Sequence, residues 1–168
     1  AQTVTVSAID DGGDEGIHTG TLSHTASSGD VSYNGIAIAN VTASITDNDT
    51  ASVVITESGG STDIAEGGAT DTYSVVLNTA PVSDVIVTVN ADSQTSAAPT
   101  SLVFTPSNWA TAQTVTVSAI DDVVDEGIHA GTLSHTASSG DASYNGIAIA
   151  SVISNITDND TAGPALEV

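Results

Sequence analysis

Residues 1–50 return almost unchanged at residues 112–161, and this internal repeat constrains the fold more than any other feature of the chain. The offset is constant (112 − 1 = 111), and only eight of the fifty paired positions differ. The second copy follows residues 51–111, for which the first copy has no counterpart. Self-similarity at a fixed period is typical of chains built from repeated structural units. The sequence therefore predicts a complete unit at residues 51–161, preceded by the C-terminal half of another at residues 1–50.

The two copies carry the same charged residues. None of the eight exchanges touches an Asp or a Glu, and the run ITDNDTA at residues 45–51 returns at residues 156–162. The chain then departs from the repeat, and we interpret residues 162–168 as a tail or as the start of a next unit. This organisation indicates a tandem array whose units share one chemistry.

Short runs of alternating apolar and polar residues occur throughout the chain, separated by stretches rich in Gly, Pro, Asn and Ser. Such alternation lets one face of a strand pack on a core, whereas no ten-residue stretch shows helical spacing. The clearest runs lie at residues 2–8, 72–77, 85–89, 102–104 and 113–120. We therefore predict an all-β fold, a Greek-key β-sandwich of about seven strands per repeat in a tandem array.

The charge balance limits the partners of the chain. It holds 21 Asp and Glu residues and no Lys or Arg, which gives a formal net charge of -21 at pH 7. The hydrophobic fraction of 39%, arranged in alternating runs, argues against disorder. An acidic surface repels nucleic-acid phosphates and anionic headgroups, so we expect no nucleic acid as a partner. No apolar run approaches the roughly 18 residues of a membrane span, so we also expect no direct membrane insertion.

The carboxylates cluster where predicted strands end. Two bare carboxylates about 5 Å apart repel by roughly 3 kcal/mol at an effective dielectric of 20, so a cluster of them needs neutralising. Acidic loops are often simply solvated surface, but this chain has no Lys or Arg to offset a cluster. Calcium takes about 6 to 8 oxygens from carboxylates, Asn side chains and carbonyls, and it suits flexible loops. The sequence therefore predicts Ca²⁺ among Asp121, Asp122, Asp125, Glu126, Asp158 and Asp160.

Three motifs resemble the Calx-β family. AEGG stands at residues 65–68, LVFTPSNWATAQTVTVSAIDDVVDEG at residues 102–127 and ITDND at residues 156–160. Members of that family are calcium-binding sandwiches of sodium/calcium exchangers and of many bacterial surface proteins, with calcium at one tip near the junction to the next module. The resemblance covers residues 51–161 as a whole unit and residues 1–50 as the second half of one.

The resemblance also implies a set of metal ligands in each copy. Glu66 is similar to the Glu that opens the first half of a family site, and Asp92 stands in for an Asp of a longer family segment that this chain lacks. The implied ligands are Glu66, Asp92, Asp121, Asp122, Asp125, Glu126, Asp158 and Asp160 in the complete unit, and Asp10, Asp11, Asp14, Glu15, Asp47 and Asp49 in the half unit. Because the half unit has no counterpart of Glu66, we expect its site to be incomplete.

The histidines allow a different interpretation. His18 and His24, repeated as His129 and His135, lie six positions apart and would share a strand face, as a zinc or nickel pair or as plain polar residues. Ser23 beside His24 lacks the Gly-x-Ser-x-Gly context of a hydrolase, and we expect no enzyme activity.

The aromatic residues favour packing roles. Tyr33 and Tyr144 stand in the repeated SYNGIAIA turn segment, where we predict that they anchor a loop. Trp109 precedes a predicted strand and is expected to pack at the edge of the core, a sugar contact being the alternative.

These features predict a calcium-rigidified spacer module of a repetitive extracellular adhesin or surface filament. Its expected partners are neighbouring repeats of the same chain, with self-association into filaments as a further one. The alternatives are a calcium-dependent adhesion module that binds a glycan or a protein, and a calcium-sensing regulatory domain. A further hypothesis is that a neighbour supplies the strands missing from residues 1–50, as in donor-strand complementation.

Overall fold

The structure is a computed structural model that describes residues 1–163. It contains two compact units, Ala1–Asp49 (unit 1) and Thr50–Val168 (unit 2), and unit 2 is described as far as residue 163. Most of the stretch that we interpret as a tail, residues 164–168, lies outside the described residues.

Unit 1 is a small antiparallel ribbon. Strand β1 (His18–Leu22) pairs with β2 (Val41–Ile45), and His18 lies opposite Ile45. The strand predicted at residues 2–8 does not form in this unit, so that prediction is wrong here. The same letters form a strand at residues 113–119 of unit 2, where two neighbouring strands pair with them. Unit 1 contains no counterpart of those neighbours, and alternation alone cannot satisfy the backbone of a lone strand.

Unit 2 is an all-β sandwich, as predicted. In chain order the strands are β3 (Val53–Glu57), β4 (Thr62–Ala65), β5 (Asp71–Leu77), β6 (Val85–Ala91), β7 (Thr95–Ala98), β8 (Ser101–Phe104), β9 (Gln113–Ala119), β10 (His129–Ser139) and β11 (Val152–Thr157). The first sheet has the order β4-β11-β10-β6-β8 and the second sheet the order β3-β5-β9-β7. β4 pairs with β11 in parallel, and the other pairs are antiparallel. The chain crosses between the sheets from β5 to β6 and from β9 to β10, as Greek-key sandwiches do.

The described part of unit 2 has nine strands, where about seven were expected, because two extended runs change sheets midway. Between β3 and β4 a 3-10 turn at Ser58–Gly60 redirects the chain, and the positive φ values of Gly59 (69°) and Gly60 (89°) suit residues without a Cβ. Between β7 and β8 the redirection occurs at residues 99–100. Each run therefore contributes one short strand to each sheet.

The core lies between the two sheets of unit 2. Alternate residues of β5 and β9, among them Tyr73, Val75 and Val117, are fully buried. They pack with the inward residues of the first sheet, such as Val87 and Leu133. Burying side chains of this size stabilises a fold by about 1.5 to 3 kcal/mol each, before the entropy cost of ordering them.

Candidate metal centre

Acidic residues from three segments meet at one end of unit 2, and strand register brings them together. Glu66 follows β4, and residues 158–160 follow β11. Because β4 and β11 run in parallel with Thr157 opposite Ala65, both strands end at the same edge. His129 begins β10 opposite Ile156, so the loop of residues 120–128 reaches the same end. We call this acidic end of unit 2 the tip.

Asp158 organises the tip through hydrogen bonds. One of its carboxylate oxygens, Oδ2, accepts the backbone N–H groups of Glu126 at 2.6 Å and Gly127 at 2.7 Å. Its Oδ1 accepts the N–H of Asp160 at 2.7 Å. These donors lower the pKa of Asp158, the N–H of Asp160 having the largest effect. Asp158 therefore fastens the loop of residues 120–128 to the end of β11 as a carboxylate.

Glu66 is the buried acid of the tip. The residue is 4% exposed, and one oxygen from each of Glu66, Asp158 and Asp160 lies within 4.8 Å of the others. Glu66 Oε2 and Asp160 Oδ2 are buried and have no hydrogen-bond partner. A buried charged oxygen without a partner is costly, so these two atoms are suited to hold a cation or a proton.

The electrostatics of the tip disfavour a fully ionised state. Burial raises the pKa of Glu66, and the charges of Asp158 and Asp122 raise it further. Burial also raises the pKa of Asp160, followed by the effects of Asp158 and Asp121. Protonation or a bound cation relieves this repulsion between buried acids. Calcium is a cation that binds sets of oxygen ligands of this kind.

His129 is a residue of the tip that the sequence-based ligand set missed. Its Nδ1 lies 3.0 Å from the carbonyl oxygen of Gly127, and its buried Nε2 has no hydrogen-bond partner. Nε2 lies 3.5 Å from Glu126 Oε2 and 3.9 Å from Glu66 Oε1. The hydrogen bond to Gly127 raises the pKa of His129, and Glu126 and Glu66 raise it as well, burial acting against them. A protonated His129 can therefore supply positive charge in a chain without Lys or Arg.

The predicted ligands in the loop of residues 120–128, Asp121, Asp122, Asp125 and Glu126, lie at the same end and are exposed, and the first three also order the loops. Asp121 Oδ1 accepts the side-chain amide of Asn159 at 2.9 Å, and Asp125 Oδ2 accepts the N–H of Ala162 at 2.6 Å. Asp122 Oδ1 accepts the backbone N–H of Val124 at 2.8 Å. Each of these bonds involves one oxygen of the carboxylate and leaves the second oxygen available to a cation.

Asp92 has a different set of contacts. Its Oδ1 accepts Thr95 Oγ1 at 2.9 Å and the N–H of Gln94 at 3.1 Å, and its Oδ2 accepts the N–H of Thr132 at 2.6 Å. Burial acts to raise its pKa, but these hydrogen bonds outweigh burial and lower it. Asp92 belongs to neither group of candidate ligand atoms within 4.8 Å of one another in the described residues. It contacts the tip only indirectly, since Gln94 donates to both oxygens of Glu126 at 2.9 Å.

Unit 1 repeats the loop architecture of the tip without its buried acid. Asp47 Oδ2 accepts the N–H groups of Glu15 at 2.6 Å and Gly16 at 2.9 Å, as Asp158 does for the corresponding pair. Burial first, and then Asp47, raises the pKa of Asp49. In the described residues both candidate groups of three ligands contain Glu66. Of the ligands predicted in the half unit, Asp10, Asp11, Glu15, Asp47 and Asp49 line one small pocket, whereas Asp14 does not.

Of the two interpretations of the histidines, the zinc or nickel pair does not hold for the second histidine of unit 2. His135 is buried, with Nε2 2.7 Å from the hydroxyl of Tyr73 and Nδ1 2.9 Å from the carbonyl oxygen of Ala150. Both ring nitrogens therefore have partners, and burial lowers the pKa of His135. It is a polar residue of the core, whereas His129 lies at the tip.

The aromatic predictions hold in unit 2. Trp109 is partly buried and packs against the core. Tyr144 is buried and bonds to Thr79, as a loop anchor should. Tyr33 is 61% exposed, because unit 1 contains no counterpart of Thr79.

Comparison with protein-family models finds no match, and neither does comparison with curated proteins. Among solved structures, the chain is similar to the periplasmic chaperone SfaE with a TM-score of 0.43 and 12% identity, covering 67% of this chain and 60% of that one. It is also similar to WR4, a C. elegans MSP family member (TM-score 0.40, 9% identity, 62% and 96% covered). The MSP-domain-like protein SSP-19 of Caenorhabditis elegans gives a TM-score of 0.39 with 12% identity, 61% and 97% covered. The chain thus spans about 60% of the length of the chaperone.

No helix among residues 1–163 is long and apolar enough to cross a membrane.

Proposed function

We propose that unit 2 is a calcium-binding structural module of a repetitive extracellular protein, an adhesin or a surface filament, in which the metal stiffens the tip. The observation that carries the proposal is the buried Glu66 Oε2, which has no hydrogen-bond partner and lies beside Asp158 and Asp160. An acid of this kind is explained by a cation that binds it.

The chemistry of the donor set supports calcium. Glu66 and Asp160 each offer an unpartnered buried oxygen, and Asp158 adds a carboxylate that neighbouring N–H groups keep ionised. The exposed acids of the loop, Asp121 and Asp122, add oxygens at the same end. A hard cation that accepts many oxygens suits this arrangement, and its chemical contribution is to neutralise the charge that the chain cannot neutralise with Lys or Arg.

The spacing of the repeat supports a structural role. Ala51, the last residue of the first ITDNDTA run, is a core residue of unit 2, and β3 begins two positions later at Val53. The acidic run therefore passes into the next module with little intervening chain. A metal bound within that run acts close to the start of the following fold, which is why we assign the chain to a stiff array.

A transition metal is the competing occupant. Glu66, Glu126 and His129 each present a ligand atom within 4.8 Å of the others, and His129 contacts a backbone carbonyl through its other ring nitrogen. Zinc ligands commonly have this arrangement. The two groups share Glu66, so a titration that compares the metals decides between them.

The test is calorimetric titration of the metal-free chain with Ca²⁺ and separately with Zn²⁺, combined with thermal melts in each metal and in EDTA. We expect Ca²⁺ to bind and to raise the melting temperature, because a ligand that binds only the folded state stabilises it by RT ln(1 + [L]/Kd). Asp160→Asn should weaken the binding. The matched control is Asp84→Asn, which removes one charge just before β6, at the end of that strand away from the tip.

Three outcomes would contradict the proposal. The first is a melting temperature that is the same in calcium and in EDTA. The second is equal loss of binding in Asp84→Asn and Asp160→Asn, which would indicate general charge attraction. The third is binding of Zn²⁺ that Ca²⁺ cannot displace, abolished when His129 is replaced by Gln, which would assign the centre to a transition metal.

A further inference from the structure

Unit 1 carries an uncovered apolar face. A groove of about 640 Å³ runs along it, and Val6, Leu22 and Ile45 contribute apolar side chains to its lining. Val6 is 47% exposed, whereas its counterpart Val117 in unit 2 is 0% exposed. The counterparts of the other two, Leu133 and Ile156, are also fully buried. Nearly identical sequences thus have a covered face in one unit and an open face in the other.

In unit 2 the covering segment is residues 51–111. It provides β3 to β8, and β6 pairs with β10 from Leu133 to Ser139. β5 and β7 flank β9, and β4 lies beside β11. In unit 1, β1 is five residues long whereas β10 has eleven, since β1 has no counterpart of β6 beside it.

Two positions show that the face of unit 1 matches this particular segment. A Cβ on Gly131 would lie 2.3 Å from Thr95 Cγ2, so this glycine admits β7 to close contact. Position 20 of unit 1 is also a glycine, but the atom nearest to a Cβ placed there would be Ile45 Cδ1, at 3.3 Å. Tyr33 likewise keeps the hydroxyl that Tyr144 uses to bond Thr79, a residue of the covering segment. Unit 1 therefore retains the glycine and the Tyr hydroxyl that contact the covering segment in unit 2, although it has no such segment.

We propose that the open face of unit 1 is the docking site for a second copy of residues 51–111, joined directly ahead of residue 1 as the first copy is joined ahead of residue 112. The docked segment would restore the pairing seen in unit 2 and would convert unit 1 into a complete sandwich.

Exchange of the segment between two copies of the chain does not satisfy unit 1. Each chain carries one copy of residues 51–111 and two faces that accept it. A swap that covers unit 1 of one chain must uncover the corresponding face of unit 2 in another, so no additional apolar area is buried. Without that gain the entropy cost of association opposes the swap.

Docking would also supply the acid that unit 1 lacks, an extension that rests on the proposed calcium function. The second copy brings a counterpart of Glu66 to the loop that Asp47 already fastens. We therefore expect the completed unit to bind calcium as unit 2 does, whereas the docking itself depends on apolar burial and strand pairing alone.

The test is an extended chain in which an added copy of residues 51–111 precedes residue 1, compared with the present chain by hydrogen–deuterium exchange in EDTA. We expect amide exchange at residues 2–6 to slow by at least about tenfold in the extended chain, because these residues become a central strand. Fast exchange there, equal to that of the present chain, would overturn the proposal. Unit 2 remains in both chains as an internal reference for folding.

Two variants of the extended chain separate docking from incidental association. Gly20→Ala should reduce the slowing, because its methyl group would collide with the added counterpart of Thr95, and it should leave the exchange of the present chain unchanged. The double variant Val75→Asp with Val87→Asp, placed only in the added copy, should abolish the slowing. Slowing that is undiminished in both variants would overturn the proposal. So would a stable dimer of the present chain with unit 1 protected, measured by sedimentation.

The two proposals can fail separately. Slowed exchange without calcium binding to either unit would retain the docking site and remove the calcium function. Calcium binding at a single site per extended chain, with slowed exchange, would retain docking and remove only the completion of the metal site.

Discussion

The hydroxyl of Tyr144 donates a hydrogen bond to the backbone carbonyl of Thr79 at 2.7 Å and accepts the N–H of the same residue at 3.1 Å. Both residues are buried, and they are 65 positions apart in sequence. This contact ties the loop after β5 to the turn after β10. In the tyrosine corner of Greek-key sandwiches the hydroxyl bonds to the backbone a few residues upstream, whereas here it bonds across 65 positions.

Tyr144→Phe should therefore destabilise unit 2 by about 1 to 3 kcal/mol, the cost of leaving buried backbone groups without a partner. The measurement is urea unfolding followed through Trp109, which packs against the core of this unit. Tyr33→Phe is the matched control, because Tyr33 is exposed and no contact of its hydroxyl depends on Thr79. Equal effects of the two substitutions would contradict the assigned role.

Gly131→Ala and Gly20→Ala form a second matched pair. The new methyl group at residue 131 would press on Thr95 Cγ2 and Ser154 Oγ, at 2.3 and 3.0 Å. We expect a loss of about 1 to 3 kcal/mol in the free energy of unfolding, as for other overpacked cores. Gly20→Ala should leave the melting transition of unit 2 unchanged. A tolerated Gly131→Ala would mean that β7 moves away from β10 easily.

Alternation in the sequence predicted the sandwich well where both neighbours of a strand are present. The runs at residues 72–77 and 85–89 lie within β5 and β6, and the acids predicted at strand ends do follow β9 and β11. Periodicity reports which face of a strand can be buried, and strands in a complete unit have a core to bury it against.

Other features depend on partners that periodicity does not identify. The letters QTVTVSA form β9 in unit 2 but no strand in unit 1, because pairing requires strands that only residues 51–111 provide. The sequence leaves His129 open as a zinc or nickel ligand or as a plain polar residue, although its position three residues after Glu126 also indicates an ion pair. The role of Asp158 as a loop fastener depends on N–H groups more than thirty positions away.

Glu66→Gln should have opposite effects with and without calcium. In EDTA the substitution removes a carboxylate whose charge is disfavoured by burial and by the neighbouring acids. The melting temperature of unit 2 should therefore rise. In saturating calcium it should fall relative to the wild-type chain, and calcium affinity should drop by at least about tenfold, since affinity follows ligand charge. Thermal melts in both conditions and a calorimetric titration provide the measurement.

The sign reversal is the informative result for Glu66. A substitution that only disturbed packing would lower the melting temperature in both conditions. Asp84→Asn again serves as the control, because it removes one charge without touching the tip and should show no reversal.

The benefit of Glu66→Gln in EDTA should also depend on pH. The folded state raises the pKa of Glu66 above its ordinary value of 4.5, so the wild-type chain loses stability as pH rises from about 4.5 through the raised value. Below 4.5 the carboxyl group is protonated in both states, and the benefit should vanish. His129 also makes the chain less stable as pH rises. Its raised pKa gives a stabilising contribution that is complete below pH 6.5 and is lost as pH rises through the pKa of the folded state.

Two other groups have shifted pKa values, but neither alters the comparison with wild type between pH 7 and pH 4.5. The lowered pKa of His135 gives a contribution that is present above 6.5 and lost as pH falls through its folded pKa. The lowered pKa of Asp158 gives one that is lost only as pH falls below 3.8. His135 is not affected by Glu66, and Asp158 loses its contribution only below this range, so the difference in unfolding free energy between Glu66→Gln and wild type should shrink steadily from pH 7 to pH 4.5. Urea unfolding at several pH values measures it, and a difference that stays constant would contradict the assignment, because it would mean that folding does not raise the pKa of Glu66.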